Sequence, residues 1–449
     1  MTALTPTAWW RGLAGLTRSG SAAEGLGWAL YDFANTIFSF AIVSFAMGPW
    51  AVRFLGEANG TLAFTVAASA SVLLNAIISP ALGAMSDRTG GRKRYLLVFT
   101  VLCVAPTALI GLVNVWVGLL AFGIANFAYQ AALIYYDALL PDVAHPQKRG
   151  RLSGVGVALG YLGTIVSGLL LRFTTDADGL ITASSFVLVA ALFAIFAIPI
   201  FAVVRERKRA SAAFRVMDAV ASWGQLRLTW QHAGEQPGLR RFIVGRFFYS
   251  DAVNTVIAVM SLFTINAVGF TESEALTVLL LLTVVAVIAS FGWGALVDRW
   301  GPKRTLLVVL ISWMVGLLLG GLVLNKTTFL LAGAILGSGL GGVAVTDRLY
   351  LLRLTPPARL GEMFGLFGLA GKFSAVIGPP LYGSIVYFLL QPLGKGAYQI
   401  AILSLLVLMG IGYAILRGVP EGTPHPDLED ELGPSLEPAI VAPADLPPG

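Results

Sequence analysis

The sequence predicts an all-α membrane protein with twelve transmembrane helices arranged as two parallel repeats of six. Three observations support this fold class. The 449-residue chain is 57% apolar and only 12% charged, whereas soluble domains contain about 25% charged residues. The chain contains twelve apolar runs long enough to cross a bilayer, which takes about 20 residues. A charged loop motif also recurs along the chain, which indicates an internal repeat.

The charged loop motif has the pattern Gly-x-x-x-Asp-Arg-x-Gly-x-basic-basic. Its leading residues lie 211 positions apart in the two copies: Gly83, Asp87 and Arg88, then Gly294, Asp298 and Arg299. The leading glycine allows two helices to approach closely, and the later glycine suits a tight turn. The trailing basic residues favour the cytoplasmic side of a membrane. We expect the acids and arginines of the motif to serve gating or packing rather than substrate binding.

The motif closely resembles the signature loop of the major facilitator superfamily, which lies between the second and third and between the eighth and ninth membrane helices. The resemblance implies the major facilitator fold. It also implies a central cavity lined by the first, fourth, seventh and tenth spans. Because six spans per half is an even number, the halves are expected to be parallel repeats related by an axis along the membrane normal.

The twelve apolar runs define the elements in chain order. The first six cover about residues 25–52, 62–84, 95–115, 117–140, 152–172 and 180–203. The second six cover about residues 241–265, 273–297, 305–324, 328–352, 362–389 and 396–417. The predicted domains are therefore a cytoplasmic N-terminal segment, two six-helix bundles, the linker between them and a tail: 1–24, 25–203, 204–240, 241–417 and 418–449.

Basic residues are distributed unevenly between the predicted loops. With the amino terminus in the cytoplasm, 23 of the 30 Lys and Arg residues fall in inner loops and tails. Those in outer loops are Arg53, Arg172, Lys326 and Lys395. This asymmetry predicts that both termini are cytoplasmic, in a multi-pass protein of the cell (inner) membrane. The first 24 residues lack the basic start and apolar middle of a cleaved signal peptide.

The linker and the tail differ from the spans in composition. Apolar residues between Phe214 and Trp223 predict either a helix on the inner membrane surface or an ordinary linker, and the sequence leaves both open. After Arg417 the chain has no basic residue, eight prolines and seven acids. Such a composition predicts a disordered tail.

A short polar motif recurs inside two predicted spans. Asp32 and Asn35 lie in the first span, and Asp251 and Asn254 lie at matching positions in the seventh. A charge at mid-bilayer costs roughly 2.5–3.5 kcal/mol, so buried charged residues are functional candidates. We predict that these four residues line the substrate and coupling cavity.

Further charges lie in the fourth, tenth and eleventh spans. Asp137 in the fourth span approaches the same level as Asp347 and Arg348 in the tenth. These residues are candidates for the cavity, and the alternative is an interhelical ion pair that holds the inner gate shut. Lys372 lies near the middle of the eleventh span and precedes Pro379 and Pro380, which should kink that helix. Lys372 is predicted either to contact the substrate or coupling ion or to form a structural pair.

Composition argues against several other kinds of site. A lone cysteine, Cys103, excludes an internal disulfide and a cysteine-cluster metal site. The histidines lie in loops or tails, so we predict no metal, no cofactor and no enzyme activity. The net charge of +6 is explained by basic loops beside apolar runs, which predicts a bilayer rather than a nucleic acid as partner.

Several longer sequence segments resemble one particular branch of the superfamily. They are Trp28-Ala-Leu-Tyr31-Asp32-Phe-Ala-Asn35-Thr, Tyr136-Asp137-Ala-Leu-Leu-Pro141, Ser153-Gly-x-Gly-x-x-x-Gly160-Tyr161-Leu-Gly163 and Phe364-Gly-Leu-Phe-Gly-Leu-Ala-Gly371-Lys372. Together they resemble the vacuole-effluxer-like branch of the superfamily, whose namesake is an autophagy-related exporter of amino acids from the yeast vacuole. The resemblance covers about residues 25–415. Asp137 and Asp347 depart from it, since the family usually has Asn and Ser at these positions.

This resemblance implies a monomeric secondary transporter that works by alternating access and exports amino acids or similar small polar metabolites. Proton coupling would need a buried carboxylate that takes up and releases a proton, and Asp32 and Asp251 are the first choices. A drug or sugar-like solute carrier of the same fold is the alternative within transport. A non-transporting receptor or scaffold is the alternative of another class.

Overall fold

The computed structural model describes residues 6–145, 148–176, 180–206, 216–322, 324–356 and 359–423. Within these residues, twelve helical segments are long and apolar enough to cross a bilayer, with mean hydropathies from 1.5 to 2.9. Segments of this length satisfy their backbone hydrogen bonds internally, as a bilayer requires. The predicted twelve-helix membrane fold is therefore confirmed.

The N-terminal half contains eight α-helices. They are α1 (Pro6–Leu16), α2 (Ala22–Phe38), α3 (Met47–Leu55), α4 (Glu57–Thr89), α5 (Arg92–Leu109), α6 (Val115–Val143), α7 (Arg149–Leu171) and α8 (Ala183–Val203). A π-helical stretch, Ser39–Ala46, joins α2 to α3 so that the two form one span. A short 3₁₀ turn, Ile110–Leu112, extends α5.

A linker helix and the C-terminal half follow. They comprise α9 (Val216–Glu235), α10 (Leu239–Leu262), α11 (Glu272–Trp300), α12 (Pro302–Leu322), α13 (Lys326–Leu354), α14 (Leu360–Phe373), α15 (Gly378–Leu393) and α16 (Gly396–Arg417). A π-helical stretch, Phe263–Val268, extends α10. The eleventh span is interrupted between α14 and α15, just before the prolines that predicted a kink.

Local sequence signals explain where several of these helices begin and end. Asn114 caps α6, because its side chain accepts hydrogen bonds from the first-turn amides of that helix. Thr271 and Glu274 form a reciprocal capping box at the start of α11. Gly90 and Gly301 end α4 and α11 with φ angles of 64° and 78°. A non-glycine residue rarely adopts such angles, so both repeated loops turn at a glycine.

The two halves repeat one packing pattern. In the N-terminal half α2 packs on α7 and α8, α6 packs on α4 and α5, and α5 packs on α8. In the C-terminal half α10 packs on α14, α15 and α16, α13 packs on α11 and α12, and α12 packs on α16. Each contact has its counterpart six spans later, as expected for parallel repeats. The halves meet through α4 with α15 and through α7 with α11, which are also corresponding pairs. They meet as well through α4 with α14, and where α10 packs on α3 and on the π-helical stretch before it.

The ends of the bundle differ in how the halves are joined. We call the end where α2 begins and α16 ends the terminal face, and the opposite end the far face. At the far face Arg53 pairs with Glu272 at 3.5 Å, and both side chains also bind the backbone of Ile181, at 2.9 Å each. At the terminal face the linker helix α9 packs on α4 and α14. The ion pair between the halves thus lies at the far face.

The chain after α16 continues along the C-terminal half for a few residues. The amide of Thr423 donates to the carbonyl of Arg353 at 2.9 Å. Glu421 pairs with Arg304 at 3.1 Å, and the carbonyl of Pro420 accepts a hydrogen bond from Tyr350. The remainder of the predicted tail, 424–449, lies outside the described residues.

Candidate functional site

Asp32 lies where α2 packs against a glycine-lined face of α7. A Cβ atom at Gly156 would lie 3.3 Å from Oδ2 of Asp32, and one at Gly160 would lie 2.8 Å from Oγ1 of Thr36. A larger residue at Gly160 would therefore push α2 away. The glycines at 156 and 160 of α7 therefore leave the space in which Asp32 lies half-buried between α2 and α7.

Aromatic side chains form a wall beside this carboxylate. Trp28 stacks on Tyr136 with ring centroids 4.6 Å apart, and its indole N–H donates to the carbonyl of Tyr136 at 3.3 Å. Tyr31 stacks on the same ring at 5.4 Å. Asp137 follows Tyr136 directly, so the stack joins the helices that carry both acids. Sequence reasoning missed these aromatics as site residues, although they neighbour Asp32 and Asp137 in the chain.

Four charged side chains, two from each half, each lie within electrostatic reach of at least one other member of the group. Asp137 lies within electrostatic reach of Lys372 and Arg348, and Asp32 lies within reach of Asp137 and Arg348. Among the described residues none of the four forms an ion pair within 4.0 Å. Asp137 and Arg348 are exposed to solvent although they lie within membrane-spanning helices. We call these four residues the central charge cluster.

Asp251 does not join this cluster. It is fully buried, and its carboxylate accepts the amide N–H groups of Ala375 at 2.7 Å and Gly378 at 2.9 Å. These amides belong to the interruption between α14 and α15, so Asp251 caps the first turn of α15. The cavity role of Asp251 therefore stays a prediction, and the contacts of its carboxylate are with backbone amides of the broken helix.

The interruption is held by further side chains from both halves. Asn254 donates to Oγ of Ser374 at 2.9 Å, so this predicted cavity residue also supports the break. Ser69 of α4, in the other half, donates to the carbonyl of Ala375 at 3.0 Å. Ala375 has a φ of 86°, which a non-glycine residue adopts only when its surroundings fix it. Contacts from both halves therefore fix the conformation of the interruption.

Asn35 occupies a different environment from its counterpart Asn254. It is 2% exposed, and its carboxamide forms no hydrogen bond with another described residue. It therefore lies within the packed N-terminal half rather than at the solvent-exposed part of the central charge cluster. The recurring Asp–Asn motif consequently places its members in three different surroundings.

Asp347 forms an ion pair within the C-terminal half. Nε of Arg246 lies 3.0 Å from Oδ2 of Asp347, and the hydroxyl of Tyr249 donates to Oδ1. Arg246 also donates to the carbonyl of Phe367 at 3.1 Å and lies 3.6 Å over that ring. The ion pair links α10, α13 and α14, so it ties helices of one half together and does not close a gate between halves.

The repeated loop residues lie apart from the central charge cluster. Asp298 and Arg299 are exposed at the end of α11, Gly294 is buried, and Gly83 has open space around its Cα. The side chains of Asp87 and Arg88 lie outside the described part of the structure. The gating role of these loops therefore remains a prediction.

Comparison with known proteins places this arrangement in a family. Residues 49–423 match the family described as vacuole effluxer Atg22 like. An uncharacterized MFS-type transporter, YxiO of Bacillus subtilis strain 168, is 28% identical over 88% of this chain and 94% of its own length. Autophagy-related protein 22 of Yarrowia lipolytica is 22% identical over 75% of this chain and 72% of its own length.

A solved structure shares the fold at low sequence identity. It is a bacterial homologue of the human lysosomal transporter Spinster, in an inward-facing and unoccupied conformation. It superposes with a TM-score of 0.64 and 14% identity, over 90% of this chain and 98% of its own. The twelve-helix major facilitator fold, the bilayer as partner and a small-molecule substrate follow from these matches. The chain belongs to the Atg22-like vacuole effluxer family and is a multi-pass membrane transporter of the major facilitator type, not an enzyme.

Proposed function

We propose that the protein exports zwitterionic small metabolites, amino acids first among them, and binds them at the central charge cluster. The observation that carries this proposal is the division of charge between the halves. The N-terminal half contributes Asp32 and Asp137, and the C-terminal half contributes Arg348 and Lys372. A substrate with one ammonium and one carboxylate group matches both sides, because each of its charges meets groups of the opposite sign.

The chemistry of each side favours a defined orientation of the substrate. A carboxylate forms strong, often bidentate hydrogen bonds with a guanidinium such as that of Arg348, and Lys372 adds a point charge. The ammonium group would face Asp32 and Asp137, beside the aromatic wall of Trp28 and Tyr136. Drug-like cations or uncharged sugars would leave one side of the cluster without a partner, so they fit this site less well.

The contacts between the halves support an alternating-access cycle. The halves are joined at the far face by Arg53 and Glu272, while Asp137 and Arg348 are exposed to solvent. With both termini in the cytoplasm, as the Lys and Arg distribution predicts, this is a state that loads substrate from the cytoplasm. Export then requires the contacts at the far face to break and the terminal face to close.

Proton coupling would use Asp32 rather than Asp251. Asp32 is half-buried and lies within reach of Arg348 and Asp137, so its charge affects the substrate site directly. The carboxylate of Asp251 is engaged by two backbone amides, which gives it a structural task. We propose a monomer in which Asp32 takes up a proton while the substrate ammonium is absent.

Transport in proteoliposomes tests the proposal. The purified full chain is reconstituted, and uptake of labelled amino acids, a sugar and a cationic drug is measured with and without a pH gradient. We expect amino-acid uptake that falls at least about tenfold in Arg348→Gln and Asp137→Ala, since each removes a charge-assisted hydrogen bond. Arg227→Gln, at an exposed position of α9, serves as the matched control. Uptake of the sugar or drug alone, or unchanged amino-acid uptake in both variants, would refute the assignment.

A further inference from the structure

A cavity with two arginines lies on the outside of the C-terminal half, at the terminal face. It lies between the start of α10 and the end of α16 and has a volume of about 450 Å³. Its lining residues are Arg240, Arg241, Val244, Ala414, Ile415 and Gly418. A second cavity of about 340 Å³ shares Arg240, Arg241 and Gly418 with it. We call the two together the arginine pocket, and it is separate from the central charge cluster.

The electrostatics of the arginine pocket favour an anion. Arg241 is exposed, and neither it nor Arg240 pairs with a carboxylate among the described residues. Arg240 uses Nε and Nη2 to donate to the carbonyls of Trp230, at 2.8 Å, and Gln231, at 3.2 Å. Its remaining N–H groups, with those of Arg241, are available to a ligand. The first turn of α10 adds backbone amides without intrahelical acceptors and the positive end of a helix dipole.

The position of the arginine pocket favours a lipid over a soluble anion. Both α10 and α16 belong to membrane-spanning segments, so their ends at the terminal face lie at the level of the headgroups. Val244, Ala414 and Ile415 form an apolar side of the pocket. Beyond it, α16 exposes a stripe of apolar side chains that leads away from the face, with Ile411 37% and Val407 63% exposed. An acyl chain can follow this stripe.

We propose that the arginine pocket binds the headgroup of an anionic phospholipid. The phosphodiester would lie between the guanidinium groups of Arg240 and Arg241, at the N-terminus of α10, and an acyl chain would lie along Ile411 and Val407. Arg240 also holds two carbonyls of the linker helix α9, so the bound headgroup would adjoin the contact that anchors α9 to α10. Basic pockets between helices at a membrane surface are suited to such headgroups.

The experiment measures lipid binding by the full chain in detergent. Native mass spectrometry counts bound lipids while phosphatidylglycerol, phosphatidylcholine or inorganic phosphate is titrated, and thermal unfolding is followed in parallel. We expect phosphatidylglycerol to bind at lower concentration than phosphatidylcholine and to raise the unfolding temperature, because a ligand of the native state stabilises it. Arg241→Gln should raise the half-saturating concentration of phosphatidylglycerol about tenfold. Arg241→Lys should retain most of the binding.

The control variant is Arg227→Gln, which removes an exposed arginine from α9 outside the arginine pocket. It should bind phosphatidylglycerol as the parent does. Equal binding of the two phospholipids, or equal binding by Arg241→Gln and the parent, would overturn the proposal. If inorganic phosphate stabilises the parent as strongly as phosphatidylglycerol and Arg241→Gln abolishes that effect, the pocket holds a soluble anion and the lipid assignment is wrong.

Discussion

Oδ2 of Asp251 accepts the amide N–H of Gly378 at 2.9 Å, across 127 positions of the chain. The same carboxylate binds the amide of Ala375, so it caps α15 where the eleventh span is interrupted. Asp32 holds the matching position in the other half, and its carboxylate accepts no hydrogen bond from another described residue. Equivalent carboxylates therefore have different tasks in the two repeats.

Asp251→Ala should destabilise the protein more than Asp32→Ala does. The first change leaves the buried amide of Gly378 and the partly buried amide of Ala375 without an acceptor, at a cost of up to roughly 1–3 kcal/mol each. The second removes a half-buried side chain without hydrogen bonds. Thermal unfolding in detergent measures the difference. Asp32→Ala should instead abolish gradient-driven uptake while the unfolding temperature stays close to that of the parent. Equal losses of stability would contradict the capping role.

Breaking the Arg246–Asp347 pair should cost more stability than breaking an exposed pair. Asp347→Leu leaves Arg246, whose side chain is 14% exposed, without its carboxylate partner, and breaking a buried pair in this way costs about 3–5 kcal/mol. The double variant Arg246→Met, Asp347→Leu should recover part of that loss, which a double-mutant cycle measures. Arg304→Gln breaks the exposed pair with Glu421 and should change stability by at most about 1 kcal/mol. Equal effects of Arg304→Gln and Asp347→Leu would refute this prediction.

Loss of the Arg53–Glu272 pair should shift the protein toward a state open at the far face. Glu272 is 8% exposed and binds both Arg53 and the amide of Ile181, so Glu272→Gln weakens the contact that holds the halves together. Spin labels at the exposed positions Asn59 and Thr327 report the separation of the halves as a distance distribution. We expect longer distances in Glu272→Gln.

The charge-swapped variant Arg53→Glu, Glu272→Arg serves as the control for the Arg53–Glu272 ion pair. It keeps the ion pair with its polarity reversed but loses both hydrogen bonds to the backbone of Ile181, so the distances should return part of the way toward those of the parent. Distances that are the same in the parent and in Glu272→Gln would show that the pair does not bias the equilibrium between the states.

Gly160→Ala should separate α2 from α7. The added Cβ would lie 2.8 Å from Oγ1 of Thr36, and overpacking of this kind costs roughly 1–3 kcal/mol. Uptake should fall as well, since α2 carries Asp32. Gly365→Ala is the matched control, because a Cβ there meets no atom within 4 Å. Adding Thr36→Ala to Gly160→Ala should restore stability, and failure to do so would mean that another contact sets the helix spacing.

The helices and the repeat could be predicted from the sequence because both depend on local information. Apolar runs show where the bilayer is crossed, and glycines such as Gly90 and Gly301 mark the turns. Asp32, Asp137, Arg348 and Lys372 could be selected as candidates because they are charged residues within apolar spans, and their role in a cavity stays a prediction. Pro379 and Pro380 indicated a disturbed eleventh span.

The partners of these residues could not be predicted, because they depend on contacts distant in the chain. The role of Asp251 follows from amides that are free only because the helix is interrupted at 374–377, four residues that carry no strong signal of a break. A long basic side chain near the end of a span can reach toward the membrane surface, yet Arg246 pairs with Asp347, 101 positions away. Pattern alone does not distinguish a charge that faces a cavity from one that is satisfied by a neighbouring helix.

The interruption at 374–377 has a consequence for movement. Its counterpart α7 runs unbroken from Arg149 to Leu171. On one side of the break α15 is fastened to the opposite half, since it packs on α4 and Ser69 holds the carbonyl of Ala375. On the other side α14 packs on α9 and α10, and also on α4. We expect the two halves to move differently during transport. The eleventh span bends at the interruption between α14 and α15, whereas α7 tilts as one rigid helix.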